Sequence, residues 1–319
     1  MPDKILLIDT VHEIIPRELE KHGFEIVSGT EWSRNLILQK IHDFTGIIIR
    51  SRITVDKEII DAAKKMKFIG RVGAGMESID TEYCEKKGII CLNSPEGNKD
   101  AVGEHAIGML LSLLNNLNKA DKEVKSGLWL REANRGIELN NKTVGIIGYG
   151  NMGSSFAKKL SGFGCNIISY DKYKSDYSDG FTKEVSLEEI FENSDILSLH
   201  VPLTDETTYM VDEKFIEKFK KPFFLINTAR GPVVKTSALV NGLKNKKVLG
   251  AGLDVVEYEE ASFETSGKMT EDKDFKYLSG CDNVIMSPHI AGWTFESKIK
   301  LAEILVKKII NIKNKQYDK

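Results

Sequence analysis

The 319-residue chain is 41% apolar and 29% charged, a balance that supports a large core and is long enough for two domains. Its formal net charge of −2 gives no general attraction to nucleic acid or anionic membrane, and no apolar run reaches the roughly eighteen residues that span a bilayer. The four cysteines, Cys84, Cys91, Cys165 and Cys281, form no C-x-x-C pair and have no histidine at ligand spacing, so neither a disulfide framework nor a metal site is expected.

The start, MPDKILLIDT, leads a charged pair into a strand and lacks the basic start and apolar core of a secretory signal; the expectation is a cytoplasmic protein. From residue 4 to about 94, apolar runs (KILLIDT, FEIVSG, GIIIRS, KFIGRVG, IICLNS) alternate with amphipathic stretches at Pro16–His22, Asn35–His42 and Asp56–Lys65. This rhythm predicts a parallel sheet with helices on both faces. One long helix is expected from Asp100 to Lys125, with Ile107, Leu110, Leu111, Leu114 and Leu117 on one side. After it the α/β rhythm restarts, so two such units are expected, and a last helix over Glu296–Asn314 is expected to pack back on the first.

The second unit opens with Thr143, Val144, Ile146 and Ile147, which read as a buried strand running into Gly148-Tyr149-Gly150-Asn151-Met152-Gly153. In this G-x-G-x-x-G pattern Gly148 permits a sharp turn, Gly150 lets the backbone approach a pyrophosphate, and Gly153 allows close packing of helix on sheet. The helix that follows directs its free N–H groups at the phosphates. The next apolar run ends on Asp171, where a carboxylate accepts bonds from the adenosine ribose hydroxyls. A carboxylate there repels a 2′-phosphate and so favours NAD over NADP, although Lys172 and Lys174 could offset the repulsion.

Later strand ends carry groups suited to the chemistry that a nicotinamide cofactor leaves to its protein, holding a substrate and moving a proton. Arg230 follows the run FFLINTA and is suited to gripping a carboxylate; GLDVVEYE leaves acidic groups at the same sheet edge; and SPHIAG carries His289. Of six histidines only His200 and His289 stand at such ends, and His289 has the acidic cluster one strand back.

The order GYGNMG, HVPLT (200–204), NTARG (227–231), GLDVVEYE (252–259) and SPHIAG (287–292) resembles the D-isomer-specific 2-hydroxyacid dehydrogenases over essentially the whole chain. The resemblance implies an α/β protein of two doubly wound parallel-sheet domains. A Rossmann NAD-binding domain (99–290) is inserted into a flavodoxin-like substrate domain (1–98 and 291–319), and the protein is a homodimer. It also implies NAD-dependent hydride transfer to or from a D-2-hydroxy acid, with Arg230 binding substrate, His289 as acid/base and Glu259 orienting it. Cofactor contacts fall on Gly148, Gly150, Asn151, Met152, Gly153, Asp171, His200, Val201, Pro202, Thr204, Thr228, Ala229 and Asp254, the last at the nicotinamide amide. Where the family has Glu-Pro, Glu259 is followed by Glu260-Ala261, which leaves Glu257 and Glu260 as alternatives.

Within the family, RVGAGMESID (71–80) and GLWLR (127–131) look most like the members acting on D-3-phosphoglycerate. Substrate contacts are then expected from Arg50, Arg71 and Arg131 on a phosphate, and from the N–H groups of Val72, Gly73 and Ala74 on a carboxylate. Trp293 departs from the small residue usual there. Reduction of hydroxypyruvate, glyoxylate or a D-lactate-type 2-oxo acid is the alternative, and a non-catalytic nicotinamide sensor of the same fold is a third reading.

Overall fold

The computed structural model describes residues 3–259 and 269–317, and they divide into two compact units. The first comprises the described residues up to Asn98 together with those from Trp293 onward; the second lies between Lys99 and Gly292.

In the first unit β1 (Asp3–Leu7), α1 (Ile14–Lys21), β2 (Phe24–Ser28), α2 (Arg34–Lys40), β3 (Gly46–Ile49), α3 (Lys57–Ala62), β4 (Phe68–Arg71), α4 (Thr81–Lys86) and β5 (Ile90–Leu92) follow in turn. The strands are all parallel in the order β2-β1-β3-β4-β5, the flavodoxin-like arrangement. The interior strand β3 is buried along its whole length, as its unbroken run of isoleucines requires. Helix starts are set locally: Ser33, Asp56 and Asp80 accept bonds from the N–H groups of Leu36, Ile59 and Tyr83.

The second unit contains α5 (Lys99–Leu114), α6 (Leu117–Lys125), β6 (Thr143–Ile147), α7 (Asn151–Leu160), β7 (Asn166–Tyr170), β8 (Lys183–Glu184), α8 (Leu187–Asn193) and β9 (Ile196–Leu199). It continues through α9 (Glu213–Lys218), β10 (Phe223–Asn227), α10 (Thr236–Lys244), β11 (Val248–Leu253), α11 (Lys273–Ser279) and β12 (Val284–Met286). Its seven parallel strands are ordered β12-β11-β10-β9-β6-β7-β8. The order reverses between β6 and β9, and a doubly wound sheet binds its ligand at that switch point. Apolar clusters cover both faces, one around Phe215, Phe219 and Phe223 and the other around Leu110, Phe156 and Ile196. The last helix, α12 (Phe295–Tyr317), belongs to the first unit, where Ala302, Leu305 and Ile309 are fully buried against β1, β3 and β4.

The expected single helix over Asp100–Lys125 is two helices. Asn116 adopts a left-handed backbone (φ 53°) and ends the first, as asparagine does at little cost. Burial separates them as well, since α5 hides eight residues and α6 none.

Candidate active site

The cradle is built as its glycines require. Gly148 leaves β6 at φ +90°, where a Cβ would stand 2.4 Å from the His200 carbonyl oxygen; at Gly153 it would stand 2.1 Å from that of Gly148. Nothing lies within 4 Å of the Cβ position of Gly150, which caps α7, so the first turn of that helix is open to a phosphate. Asp171 accepts from the N–H groups of Tyr149 (2.8 Å) and Tyr173 (3.0 Å), which fixes its carboxylate beside the glycine turn. Of the two lysines that could offset its charge, Lys172 pairs with Glu206, while Lys174 donates to the Tyr149 carbonyl at 2.7 Å and keeps its charge beside the same turn.

Further along the switch point, the buried Thr228 hydroxyl has no hydrogen-bond partner among the described residues, which suits a polar contact with a cofactor. Its loop is tied by Asn227, whose amide accepts from Ala229 N–H and donates to the Arg230 carbonyl, both at 3.0 Å. His200 serves the cradle as packing rather than as an acid or base. Although the residue is only half-buried, its Nδ1 has no accessible surface and no partner, and the ring lies 5.3 Å from Phe156; burial pushes its pKa down to about 3. Val201 packs on the sheet's core, and Pro202 and Thr204 follow in an exposed turn in which Thr204 N–H donates to Thr207 Oγ1. The open helix terminus, the placed carboxylate and the orphan hydroxyl all suit a dinucleotide.

The same sheet edge carries His289, Glu259 and Arg230. His289 Nδ1–H donates to Glu259 Oε1, with both side chains mostly buried. Of the two alternatives, Glu257 accepts from Thr236 N–H at 2.8 Å and so caps α10, and Glu260 lies outside the described residues. Arg230 sits three residues beyond β10, partly buried, with Nη1 donating to the Ala229 carbonyl at 2.7 Å.

His289 has a left-handed backbone (φ 53°), which costs a non-glycine residue roughly 1–2 kcal/mol. Asp254 holds it there. At 1% exposure this carboxylate accepts from Ser287 Oγ–H (2.6 Å), Ile290 N–H (2.9 Å) and Ala291 N–H (2.8 Å), while its own carbonyl takes the His289 N–H at 2.7 Å. Asp254 was expected at the nicotinamide amide; the bonds it makes here fix the histidine loop. Because the Ser287 hydrogen is committed to Asp254, the 2.9 Å contact from His105 on α5 must be donated by its Nε2–H to Ser287 Oγ. His105 and Ser287 carried no sequence signal for this task beyond Ser287's position in SPHIAG, because a histidine inside an apolar helix has no diagnostic spacing.

In the first unit the loop after β4 differs from expectation. Val72 and Gly73 spend their N–H groups on the carbonyls of Ile49 (2.9 Å) and Arg71 (3.0 Å), so of the three expected donors the Ala74 N–H is left. Arg71 folds back over this loop, Nη1 lying 3.4 Å from the Val72 carbonyl, and a Cβ on Gly73 (φ +155°) would coincide with that guanidinium. Arg50 stacks on Trp293. Arg131 belongs to the second unit and is exposed.

Residues 107–291 match the family described as D-isomer specific 2-hydroxyacid dehydrogenase, NAD binding domain. The chain is 35% identical over 291 residues to a hydroxypyruvate reductase from Thermotoga maritima, covering 91% of this chain and 92% of that one. It is 34% identical over 311 residues to a D-3-phosphoglycerate dehydrogenase from Archaeoglobus fulgidus, 97% of this chain but 57% of the relative, so it spans little more than half of that protein. The crystal structure of a D-lactate dehydrogenase from Aquifex aeolicus with NAD and lactic acid superposes with a TM-score of 0.82 at 30% identity, covering 99% and 97% of the two chains.

Proposed function

The chain belongs to the D-isomer specific 2-hydroxyacid dehydrogenase family and carries its NAD-binding domain, and from that premise we propose that it interconverts a D-2-hydroxy acid and its 2-oxo acid. The observation that carries the proposal is the His289–Glu259 pair beside Arg230 at one edge of the dinucleotide sheet. NAD, when bound, supplies or accepts the hydride. Everything else falls to the chain. Held at Nδ1 by Glu259, His289 gives a proton to the substrate oxygen in reduction and takes it back in oxidation, and Glu259 orients the ring for that task. Arg230 pairs with the substrate carboxylate and draws electron density from the adjoining carbonyl.

For the substrate we favour D-3-phosphoglycerate and its product 3-phosphohydroxypyruvate, which places the chain in serine biosynthesis. The guanidinium of Arg50 supports a phosphate, and two relatives at 34% and 35% identity are named for this reaction. Relatives named hydroxypyruvate and glyoxylate reductase, each at 35%, make simpler 2-oxo acids the second reading. The test is NADH oxidation with 3-phosphohydroxypyruvate, hydroxypyruvate, glyoxylate and pyruvate. Rank order in kcat/KM identifies the acid, and tight NADH binding with no turnover of any of them refutes the enzyme and supports the sensor.

We further propose a cytoplasmic homodimer. Exposed apolar side chains at Leu117, Val124, Leu128, Trp129, Leu130 and Ile137 follow one another in α6 and the stretch after it, and a partner subunit would cover them. A monomer in sedimentation equilibrium refutes the dimer.

A further inference from the structure

Most arginines of the first unit spend their guanidinium groups on the protein itself. Arg34 binds Asp56 and Glu58, Arg52 donates to the carbonyls of Ile8, Gly29 and Trp32, and Arg71 turns onto its own loop. Arg50 is different. Its backbone N–H is taken by Asp9 Oδ2 at 2.6 Å, which fixes the residue at the end of β3, yet its guanidinium makes no hydrogen bond among the described residues. It lies on the face of Trp293, with Cζ 4.6 Å from the ring centre. Burial lowers its pKa, but a guanidinium stays charged at any working pH.

A guanidinium placed over an aromatic ring is restrained by that contact, which consumes none of its N–H donors, so they stay available to an anion. The backbone next to Trp293 is fixed as well. One residue on, Thr294 and Ser297 cap α12 reciprocally, each backbone N–H donating to the other's hydroxyl at 3.0 Å. Trp293 nevertheless remains 66% exposed, a large apolar surface left in water beside an unspent cation. Charge, orientation and exposure together describe one wall of an anion site.

We propose that Trp293 is a specificity-determining residue: by holding the Arg50 guanidinium on its face, it selects 2-oxo and 2-hydroxy acids that carry a second anionic group remote from the reacting carbon. The proposal rests on the assignment of Arg50 to substrate binding made above, and it adds the residue that orients Arg50 and the class of substrate that follows. Hydroxypyruvate, with a neutral hydroxyl at its far end, cannot use the stacked cation; a phosphate or a distal carboxylate can.

The experiment compares wild type with Trp293→Ala and Trp293→Phe on 3-phosphohydroxypyruvate, 2-oxoglutarate and hydroxypyruvate. A cation–π contact at a partly exposed site corresponds to about fivefold in affinity, so Trp293→Ala should lower kcat/KM for a doubly anionic acid relative to hydroxypyruvate by about that factor, through KM. Trp293→Phe, which keeps an aromatic face, should fall between. The larger loss on the phosphorylated acid or on 2-oxoglutarate supports the proposal and identifies the anion. An unchanged ratio in both variants overturns it, as does a wild type that prefers hydroxypyruvate to both dianions. If wild type turns over no 2-oxo acid, the catalytic reading fails separately, and titration with inorganic phosphate then decides. A saturable change in tryptophan emission that disappears in Trp293→Phe supports the stacked site, and no change in wild type overturns it.

Discussion

Replacing Asp254 by Asn tests whether this carboxylate acts through the histidine loop. The amide is isosteric, but only one of its two heteroatoms accepts hydrogen bonds. In the least costly orientation its oxygen keeps Ser287 Oγ–H and Ile290 N–H, and its NH2 group then faces the buried Ala291 N–H, donor against donor. A buried N–H left unsatisfied costs about 1–3 kcal/mol, and the two retained bonds lose their ionic character. The loss is comparable with the roughly 1–2 kcal/mol needed to keep His289 left-handed, so the ring is no longer fixed against Glu259. Misplacement of a catalytic group by about 1 Å can cost about 10²-fold, and we expect kcat for 2-oxo acid reduction to fall by about that much. For a unit of this size a loss of about 2 kcal/mol lowers Tm by about 4–8 °C. The dissociation constant for NADH, read by fluorescence titration, should stay within about threefold, because the interaction lost is not one with the cofactor. A tenfold weaker NADH affinity with unchanged kcat and Tm would refute the argument and return Asp254 to the nicotinamide.

His289→Ala should lower turnover by about 10²–10⁴-fold with NADH affinity nearly intact, and near-normal turnover removes it as the acid/base. Glu259→Gln and Glu257→Gln should part company. The first lowers kcat for reduction, because His289 loses the carboxylate that holds its ring, while the second costs about 1 kcal/mol of stability through the α10 cap and leaves kcat in place; the reverse pattern exchanges their roles. Because of the Asp171 carboxylate beside the glycine turn, wild type should prefer NADH, and Asp171→Ser should narrow the gap to NADPH; equal use by wild type shows that Lys172 and Lys174 offset that charge. His200 titrates low in the folded state, so its contribution to stability is complete above its unfolded pKa of about 6.5 and is lost as pH falls from there toward about 3. Urea melts across that window should show a weaker acid loss in His200→Gln, and identical slopes exclude the buried neutral ring.

The chain's local chemistry was enough to read both α/β units, the cradle and the strand-end groups. A strand-to-helix turn at Gly148–Gly153 depends on backbone freedom that only those residues have, and burial of a parallel strand on both faces demands an unbroken apolar run such as GIII. Requirements of this kind are satisfied within a few residues, and so they are visible in order along the chain. What the tertiary structure decided was partner choice. Whether Glu257 or Glu259 meets His289, whether Lys172 stands beside Asp171 or on Glu206, whether the Val72 N–H is open or spent on Ile49: each depends on atoms brought together from segments far apart in sequence. A carboxylate, a guanidinium or a backbone N–H has several acceptable partners of nearly equal energy, and only the packed arrangement of strands and loops determines which is within 3 Å. The contact from His105 to Ser287 spans 182 residues, and the Arg50–Trp293 stack joins β3 to the segment that starts α12; no spacing along the chain announces either.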